Sequence, residues 1–188
     1  MSKIEEAQVI LQELGLPNAQ HNEISGYTLL ALCNVKERDK WSGAYKQSHG
    51  VSKGIMAFIS ENYKKNYAPN TRETFRRQVL HQFVQAGIAD YNPDIPDLPV
   101  NSPHAHYAIS EIVLETIKTF GTNKWKQSVK YFKEQIGELI EKYSKDREMS
   151  RVPVKLANGE VLNLSPGKHN KVQAAIVEEF ASRFAQGS

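Results

Sequence analysis

The chain lacks the residues from which disulfide-stabilised and membrane-spanning proteins are built. Its single cysteine, Cys33, cannot form an internal disulfide, and sparse cysteine is typical of proteins in a reducing cytoplasm. No apolar run approaches the ~20 residues that a membrane-spanning helix needs. The first residues, MSKIEEAQVILQEL, have the pattern of an amphipathic helix and not of a signal peptide. The sequence therefore predicts a cytoplasmic protein that does not interact with a membrane.

Common catalytic and nucleotide-binding motifs are also missing. The chain contains no G-x-S-x-G, no Walker loop and no G-x-G-x-x-G, which argues against the corresponding hydrolases and nucleotide-binding enzymes. None of its 21 Asp and Glu residues has a lysine two positions later. The second half of the PD-(D/E)-x-K nuclease motif, which supplies a metal-binding acid and a lysine beside the attacking water, is therefore absent. Pro93-Asp94 and Pro96-Asp97 imitate the first half, but here they indicate turns.

The pair His104-x-His106 is the nearest approach to a metal site. Both imidazoles are expected on one side of a strand, yet no cysteine or carboxylate cluster accompanies them as a zinc site would require. Cys33 lies in an apolar run, TLLALCNV, predicted to be a buried helix, which argues against a nucleophile. We therefore predict no metal site and no cofactor for this polypeptide.

Positive charge is modest overall but concentrated in one part of the chain. The net charge is +3, whereas residues 36–77 contain ten Lys and Arg against four acids. This local excess is compatible with a surface that contacts phosphates, and equally with an ordinary soluble surface. The acids Asp90, Asp94 and Asp97 in a following loop disfavour phosphate contacts there, so we expect the tip of that loop to lie away from DNA or to pack on protein.

Residues 69–88, PNTRETFRRQVLHQFVQAGI, are the most informative segment. Helical spacing divides them into an apolar stripe and a polar stripe. The apolar stripe consists of Phe75, Val79, Leu80 and Phe83. The polar stripe consists of Thr74, Arg77, Gln78 and His81. Its hydroxyl, guanidinium, amide and imidazole groups can all hydrogen-bond base edges or phosphates, so the pattern is typical of a DNA-reading helix, although an ordinary solvated face looks the same. We expect Thr71 to cap the helix, Pro69 to keep the preceding residue extended, and Gly87 to end the helix.

The flanking segments favour the DNA-reading alternative. Residues 52–65 form a predicted helix that is joined to the next one by a compact turn at 66–70, which is the helix-turn-helix arrangement. The ends of the predicted 52–65 helix are basic and carry Lys53, Lys64 and Lys65. Downstream, 88–91 and 106–109 are short strand-like segments around the loop NPDIPDLPVNSP, as in a wing. The local pattern therefore predicts a winged helix-turn-helix.

The rest of the chain predicts further helices and one hairpin. Ser110 is expected to cap a helix that reaches Phe120, and a longer helix covers 124–143 with an apolar seam that packs on the winged-helix core, our preference, or on a second subunit. Two alternating strands surround Asn158-Gly159, a strong hairpin signal, and a last helix follows. We predict a mainly α protein with a DNA-recognition domain at 1–145 and, at 146–188, a hairpin and helix too small to form a domain alone.

Four segments together resemble the N-terminal part of the BsuBI/PstI type II restriction endonucleases. They are GYTLLALCNVKERDKW at 26–41, residues 54–88, NPDIPDLPVNSP at 92–103, and LSPGKHNKVQAAIVEEFASRF at 164–184. The resemblance implies a winged-helix N-terminal region that precedes a PD-(D/E)-x-K catalytic half, double-stranded DNA as the partner, and Mg²⁺ as the cofactor of the full-length enzyme. The founding members read CTGCAG, and such a palindrome implies a homodimer.

By the same resemblance, 146–188 looks like the linker to a truncated nuclease core or the start of it. Glu178 or Glu179 would then be a supporting acid of that core, although Lys171 stands where an acid is expected. Because the metal-binding acids and the lysine are not in the chain, we expect DNA recognition without cleavage by this polypeptide.

The segment TRETFRRQVL also resembles the start of the recognition helix in GntR-type repressors, so the alternative is a free-standing winged-helix transcriptional regulator. The LSPGKHN segment has no place in such a regulator and favours the endonuclease. In either case the resemblance implies that Thr71, Arg72, Thr74 and Arg76 lie at the groove-facing end of the helix. By helical geometry, Arg77, Gln78 and His81 extend that surface, while Arg72 and Arg76 lie nearer the apolar side.

Overall fold

The computed structural model describes residues 1–99, 102–149, 152–155 and 161–164, with side chains through residue 137. Its contacts divide the chain into two units, Met1–Ile136 and Gly137–Ser188. The first unit is mostly helical and contains one small antiparallel sheet, while the described part of the second includes another pair of strands. None of the helices that the structure describes is long and apolar enough to cross a membrane.

The first two helices build one side of the core. α1 (Lys3–Glu13) begins with a capping box in which the Ser2 hydroxyl accepts from the Glu5 N–H and the Glu5 carboxylate accepts from the Ser2 N–H. The chain leaves the helix at Gly15, whose φ of +95° favours glycine. α2 (Glu23–Leu32) buries eight of its ten residues, because it lies at the centre of the unit with other elements around it.

The next two helices change helix type along their length. The first begins as a π-helical turn, Val51–Met56, and continues as α3 (Ala57–Tyr63). The second, called here the 69–85 helix, is a 3₁₀ turn at Pro69–Thr71, α4 (Arg72–Thr74), a π-helical turn at Phe75–Leu80 and α5 (His81–Gln85). Gly87, with φ of +69°, follows its end, where the Ile88 N–H donates to the Phe83 carbonyl at 2.8 Å.

The second half of the unit adds a hairpin and two helices. β1 (Ala89–Tyr91) and β2 (Tyr107–Ile109) pair antiparallel, with Ala89 opposite Ile109. α6 (Glu111–Ile117) follows, and α7 runs over Trp125–Met149. The predicted strands are confirmed to within one residue, and the predicted helix after Ser110 is confirmed but ends at Ile117.

One apolar cluster holds these elements together, and it confirms the predicted stripe of the 69–85 helix. Phe75, Val79, Leu80 and Phe83 are no more than 2% exposed. α7 places its own seam in the same cluster through Trp125, Val129 and Phe132, with Ile136 packed against it. The preferred partner of that seam, the core of the same chain, is therefore confirmed for the described side chains.

Two predicted helix caps make no capping hydrogen bond, and the two histidines do not lie on a strand. Thr71 does not cap the 69–85 helix, because its own φ and ψ are helical and its side chain makes no capping bond. Pro69 begins the helix instead, since its fixed φ and missing N–H suit the first helical position, and Ala68 before it is extended as expected. Ser110 stands at the N-cap position of α6, but its hydroxyl donates to the Gly87 carbonyl at 2.7 Å. His104 and His106 precede β2, which begins at Tyr107.

The described part of the second unit includes the predicted hairpin strands. β3 (Val152–Lys155) pairs antiparallel with β4 (Val161–Leu164). The pairing confirms the strands, while the turn at Asn158-Gly159 lies outside the described residues. The predicted last helix, with Glu178 and Glu179, lies outside them as well.

Candidate nucleic-acid interface

The polar stripe of the 69–85 helix faces solvent. Arg77, Gln78 and His81 are exposed, and Thr74 is half-buried. The side chain of Arg77 is 73% exposed. The structure therefore brings these four side chains together on an open face, as the helical spacing predicted, while their role in binding stays a prediction.

The opposite side of the helix is fixed by packing and by one long-range hydrogen bond. Phe75 meets the ring of Tyr67 edge to face, with centroids 5.1 Å apart. Gln20 donates from Nε2 to the Gln78 carbonyl at 2.8 Å, which satisfies a backbone group in the π-helical turn. The exposed face is thus presented by a rigid element, and side chains on rigid elements lose less entropy when they bind.

Glu73 joins the two arginines at the start of this face. Its Oε2 accepts from Arg76 Nη2 at 2.9 Å and from Arg77 Nε at 3.1 Å. Arg76 Nε also donates to both carboxylate oxygens, at 3.2 and 3.3 Å. The hydrogen bonds of Arg76, followed by those of Arg77, lower the pKa of Glu73, so the carboxylate stays ionised and offsets one of the two positive charges. Sequence analysis missed Glu73, although its i, i+3 and i, i+4 spacing to the arginines was visible.

A groove separates the 69–85 helix from the β1–β2 hairpin. Its volume is about 450 Å³, and it is lined by Arg76, Arg77, His81, Val84, Tyr91 and Tyr107. Three candidate side chains of the helix therefore border the hairpin as well. The groove makes the hairpin part of the candidate surface.

The two tyrosines of this groove form a pair across the hairpin. Tyr91 and Tyr107 are register partners in the sheet, and their ring centroids are 5.2 Å apart at an interplanar angle of 49°. Tyr107 is 6% exposed and Tyr91 is 37% exposed. Sequence analysis missed both tyrosines. Pairing the predicted strands 88–91 and 106–109 end to end would have placed Tyr91 opposite His106, so only the observed register brings the two tyrosines together.

The remaining basic candidates differ in exposure and in their contacts with other residues. Arg72, Lys53 and Lys64 are exposed, and Arg76 is half-buried. Lys65 forms an ion pair with Glu23 at 3.0 Å, so part of its charge is already offset. Lys64 adopts a left-handed conformation after α3, with φ of 57°, and thereby turns the chain toward the 69–85 helix.

Two of the loop acids are bound to cations of the chain itself. Asp90 accepts from Lys46 Nζ at 3.1 Å, and Asp94 accepts from His106 Nε2. His106 also donates from Nδ1 to the His104 carbonyl at 2.8 Å. The His104 carbonyl and then Asp94 raise the pKa of His106, and the bond from His106 lowers the pKa of Asp94. Asp90 lies in β1 and Asp94 just after it, so these contacts do not involve the tip of the loop. The expectation that the tip lies away from DNA or packs on protein stays a prediction.

The described residues contain no cluster suited to a metal centre, and their one cysteine is not a nucleophile. No group of three or more His, Cys, Asp or Glu able to hold a metal occurs in the part of the chain that the structure describes. Cys33 is fully buried at the end of α2, and burial raises the pKa of its thiol. A thiol that is neutral and inaccessible is not a nucleophile.

Two family models match the chain in succession. The BsuBI/PstI restriction endonuclease HTH domain matches residues 1–141, and the BsuBI/PstI restriction endonuclease domain matches residues 152–188. Together they account for nearly the whole chain.

Curated proteins and a solved structure are similar over the same length. Type II restriction enzyme BsuBI of Bacillus subtilis is 45% identical over 186 residues, which are 99% of this chain and 58% of the relative. Type II restriction enzyme AplI of Arthrospira platensis (strain NIES-39) is 31% identical over 179 residues, 95% of this chain and 55% of the relative. The structure of SdaI restriction endonuclease has a TM-score of 0.68 at 32% identity and covers 98% of this chain and 57% of that one. The chain thus spans somewhat more than half the length of these relatives.

Proposed function

The chain belongs to the BsuBI/PstI restriction endonuclease family, and from that premise we propose that residues 1–145 are a winged helix-turn-helix domain that binds double-stranded DNA sequence-specifically. Residues 146–188 connect this domain to a catalytic domain or begin it. Family membership disfavours the alternative of a free-standing transcriptional regulator. One observation carries the proposal, the rigid 69–85 helix whose buried stripe leaves Arg77, Gln78 and His81 on an open face.

The parts of the motif correspond to elements of the fold. The helix at 51–63 is the first helix of the motif, the 69–85 helix is the recognition helix, and the β1–β2 hairpin is the wing. In such motifs the recognition helix lies in the major groove with its N-terminal residues at the base edges.

The candidate residues divide into two kinds of contact. Arg77, Gln78 and His81 offer donors and acceptors that can distinguish base pairs in the major groove. The phosphate contacts, which position the protein without reading sequence, are assigned to Thr71, Arg72, Thr74, Arg76, Lys53, Lys64 and Lys65. Arg77 belongs to both sets, because its guanidinium can also bind a phosphate. We assign Thr71 to a phosphate although it is not the helix cap, because it still lies in the first turn.

A selection from a library of randomised duplexes tests this assignment. Wild-type protein is expected to enrich one motif, and Gln78→Ala is expected to relax the preference at one position of it while overall affinity falls by about tenfold. Gln127→Ala, which removes an exposed amide from α7, serves as the control and should enrich the wild-type motif. If the Gln78 variant enriches an unchanged motif, this face does not read the bases.

Cleavage is not expected from this polypeptide. Its sequence contains no acid followed two positions later by a lysine, and the described residues hold no cluster suited to the Mg²⁺ that the family implies. We therefore assign Mg²⁺ chemistry to the catalytic part of a full-length enzyme and no step of it to residues 1–145. Incubation of the pure chain with Mg²⁺ and a duplex that contains the selected motif should leave both strands intact, and specific double-strand cutting would contradict the assignment.

Assembly as a homodimer belongs to the same proposal. A two-fold symmetric site is read by two copies of a recognition helix, so a palindromic motif from the selection predicts two chains per duplex. Light scattering of the complex measures this ratio. A palindromic motif bound by a single chain would exclude the dimer.

A further inference from the structure

The groove between the 69–85 helix and the β1–β2 hairpin offers more than cations to a bound strand. Phosphates need only the two arginines at its edge. The rest of its lining is His81 together with Val84, Tyr91 and Tyr107, which give it a largely apolar and aromatic character. Tyr91 is the exposed member of the tyrosine pair, and Tyr107 supports it from below at a centroid distance of 5.2 Å. A cation-lined groove with a supported aromatic ring matches a ligand that combines negative charge with a flat apolar face.

Support for the ring comes from the sheet and its neighbour. Tyr107 exchanges two backbone hydrogen bonds with His49, at 2.8 and 2.9 Å, just before the helix at 51–63. Tyr91 is its register partner across β1 and β2. Tyr107 is therefore held between His49 and β1, and it supports Tyr91 from one side, so the position of the pair does not have to be organised when a ligand binds.

The chemistry of the groove distinguishes an unpaired base from a paired one. In a duplex the faces of each base are covered by its neighbours, and only the edges are accessible in the grooves. Stacking on an aromatic side chain therefore requires a base that has left the stack. The volume of about 450 Å³ lies in the range of about 300–1,000 Å³ that is usual for small-molecule sites.

We propose that this groove binds one unpaired nucleotide of a DNA strand, with its base stacked on Tyr91 and its phosphate at Arg76 and Arg77. The proposal rests on the proposed function, because it takes DNA as the ligand of this face. It adds a site for a nucleotide outside the double helix, and it gives the hairpin a direct contact with that nucleotide. Val84 closes the apolar side of the groove from the helix.

The test compares two duplexes of one sequence, one fully paired and one with a single-nucleotide bulge. We expect wild-type protein to bind the bulged duplex about tenfold more tightly, as one base–aromatic stack can supply. Tyr91→Ala should abolish this preference, Tyr91→Leu should abolish it while preserving an apolar side chain, and Tyr91→Phe should retain it. Tyr131→Ala is the matched control, because Tyr131 is a 57% exposed tyrosine on α7. Thermal melting of each variant checks that the fold is intact.

Each other outcome overturns the proposal in a recognisable way. Equal affinity of wild-type protein for both duplexes means that no unpaired base is bound. Equal losses for both duplexes in Tyr91→Ala mean that the ring touches the sugar of a paired strand. Persistence of the bulge preference in both Tyr91→Ala and Tyr91→Leu, without loss of affinity for either duplex, places the base elsewhere. If wild-type protein binds neither duplex, the proposed function itself is refuted.

Discussion

At the scale of single residues, Glu73 reduces the positive charge that the candidate surface presents to DNA. It binds Arg76 and Arg77 at once, so a phosphate that approaches either guanidinium must compete with a carboxylate already in place. Because phosphate contacts are the same for every sequence, this competition weakens binding to DNA of any sequence.

Replacing Glu73 by Gln should therefore strengthen binding to DNA of arbitrary sequence. The amide is isosteric but uncharged, so both arginines become available to phosphates, and log affinity should depend on log salt more steeply, by about 0.9 for each phosphate newly neutralised. Fluorescence anisotropy on a nonspecific duplex at several salt concentrations measures this slope. Glu115→Gln is the control, since it removes the same charge from an acid paired with Lys118 at 2.7 Å on α6. A slope no steeper in Glu73→Gln than in wild type would show that the carboxylate does not compete with DNA.

His106 carries the pH dependence expected of the hairpin loop. The pKa of His106 is raised by the His104 carbonyl and by Asp94, so protonated His106 stabilises the loop fully below about pH 6.5. This contribution is lost as pH rises through the higher pKa of the folded state. The pKa of Asp94 is lowered by His106, and its contribution, present above about pH 3.9, is lost as pH falls through the lowered value. The interaction is therefore strongest between about pH 4 and 6.5.

Asp94→Asn tests this origin of the His106 pKa. An NMR titration of the imidazole should give a pKa above the ordinary histidine value in wild type and a lower one in the variant, because the Asn side chain carries no charge. His104→Ala is the control, since it leaves the backbone carbonyl that His106 Nδ1 contacts. An unchanged pKa in Asp94→Asn would mean that the carboxylate does not hold the imidazole in solution.

The contacts between individual side chains of the candidate interface were the hardest feature to predict from the sequence. The polar stripe of the 69–85 helix follows from helical spacing alone, which is local, and its exposed members lie where the pattern predicted them. The link of Glu73 to both arginines depends on the rotamers chosen by three long side chains. The groove with Tyr91 depends on how the hairpin packs beside the helix. The distance between these two elements cannot be predicted from a local sequence pattern.

At the scale of elements, the helix ends were predicted less well than the helices. Apolar periodicity placed the helices, the β1–β2 strands and the α7 seam because burial requires it. The start of the 69–85 helix was wrong because Thr71 is a good capping residue in isolation, whereas Pro69 two residues earlier already fits the first helical position. Ser110 stands at the predicted cap position, but its hydroxyl satisfies the Gly87 carbonyl, a tertiary contact that spacing does not reveal.

Gly87 links the end of the 69–85 helix to α7, and its substitution tests that link. A Cβ there would overlap Ile136 Cδ1, and its φ of +69° is unfavourable for other residues. Gly121, with φ of +79° and no atom within 4 Å of its added Cβ, is the matched control. Gly121→Ala should lower the free energy of unfolding by about 1 kcal/mol through backbone strain alone, and Gly87→Ala should lower it by more. Urea unfolding measures both, and equal losses would show that α7 does not press on the turn.

At the scale of the whole molecule, the candidate surface gathers charge that the net value conceals. The total of +3 is small, yet residues 36–77 have an excess of six basic residues, and the exposed face of the 69–85 helix lies in and just beyond this range. The loop acids Asp90 and Asp94 are bound to Lys46 and His106, so they oppose an approaching phosphate less than their number implies. The proposed function predicts such a surface, because phosphates supply much of the affinity of a DNA-binding protein.

The salt dependence of duplex binding by Arg77→Ala tests the central claim most directly. Lys130→Ala is the control, because Lys130 is 79% exposed on α7 and pairs with Glu134 at the same i, i+4 spacing that joins Glu73 to Arg77. If the 69–85 helix contacts DNA, Arg77→Ala should weaken binding and reduce the slope of log affinity against log salt by about 0.9, the value for one phosphate contact. Lys130→Ala should leave both unchanged. An Arg77 variant with the wild-type slope and affinity would contradict the assignment of this helix to DNA.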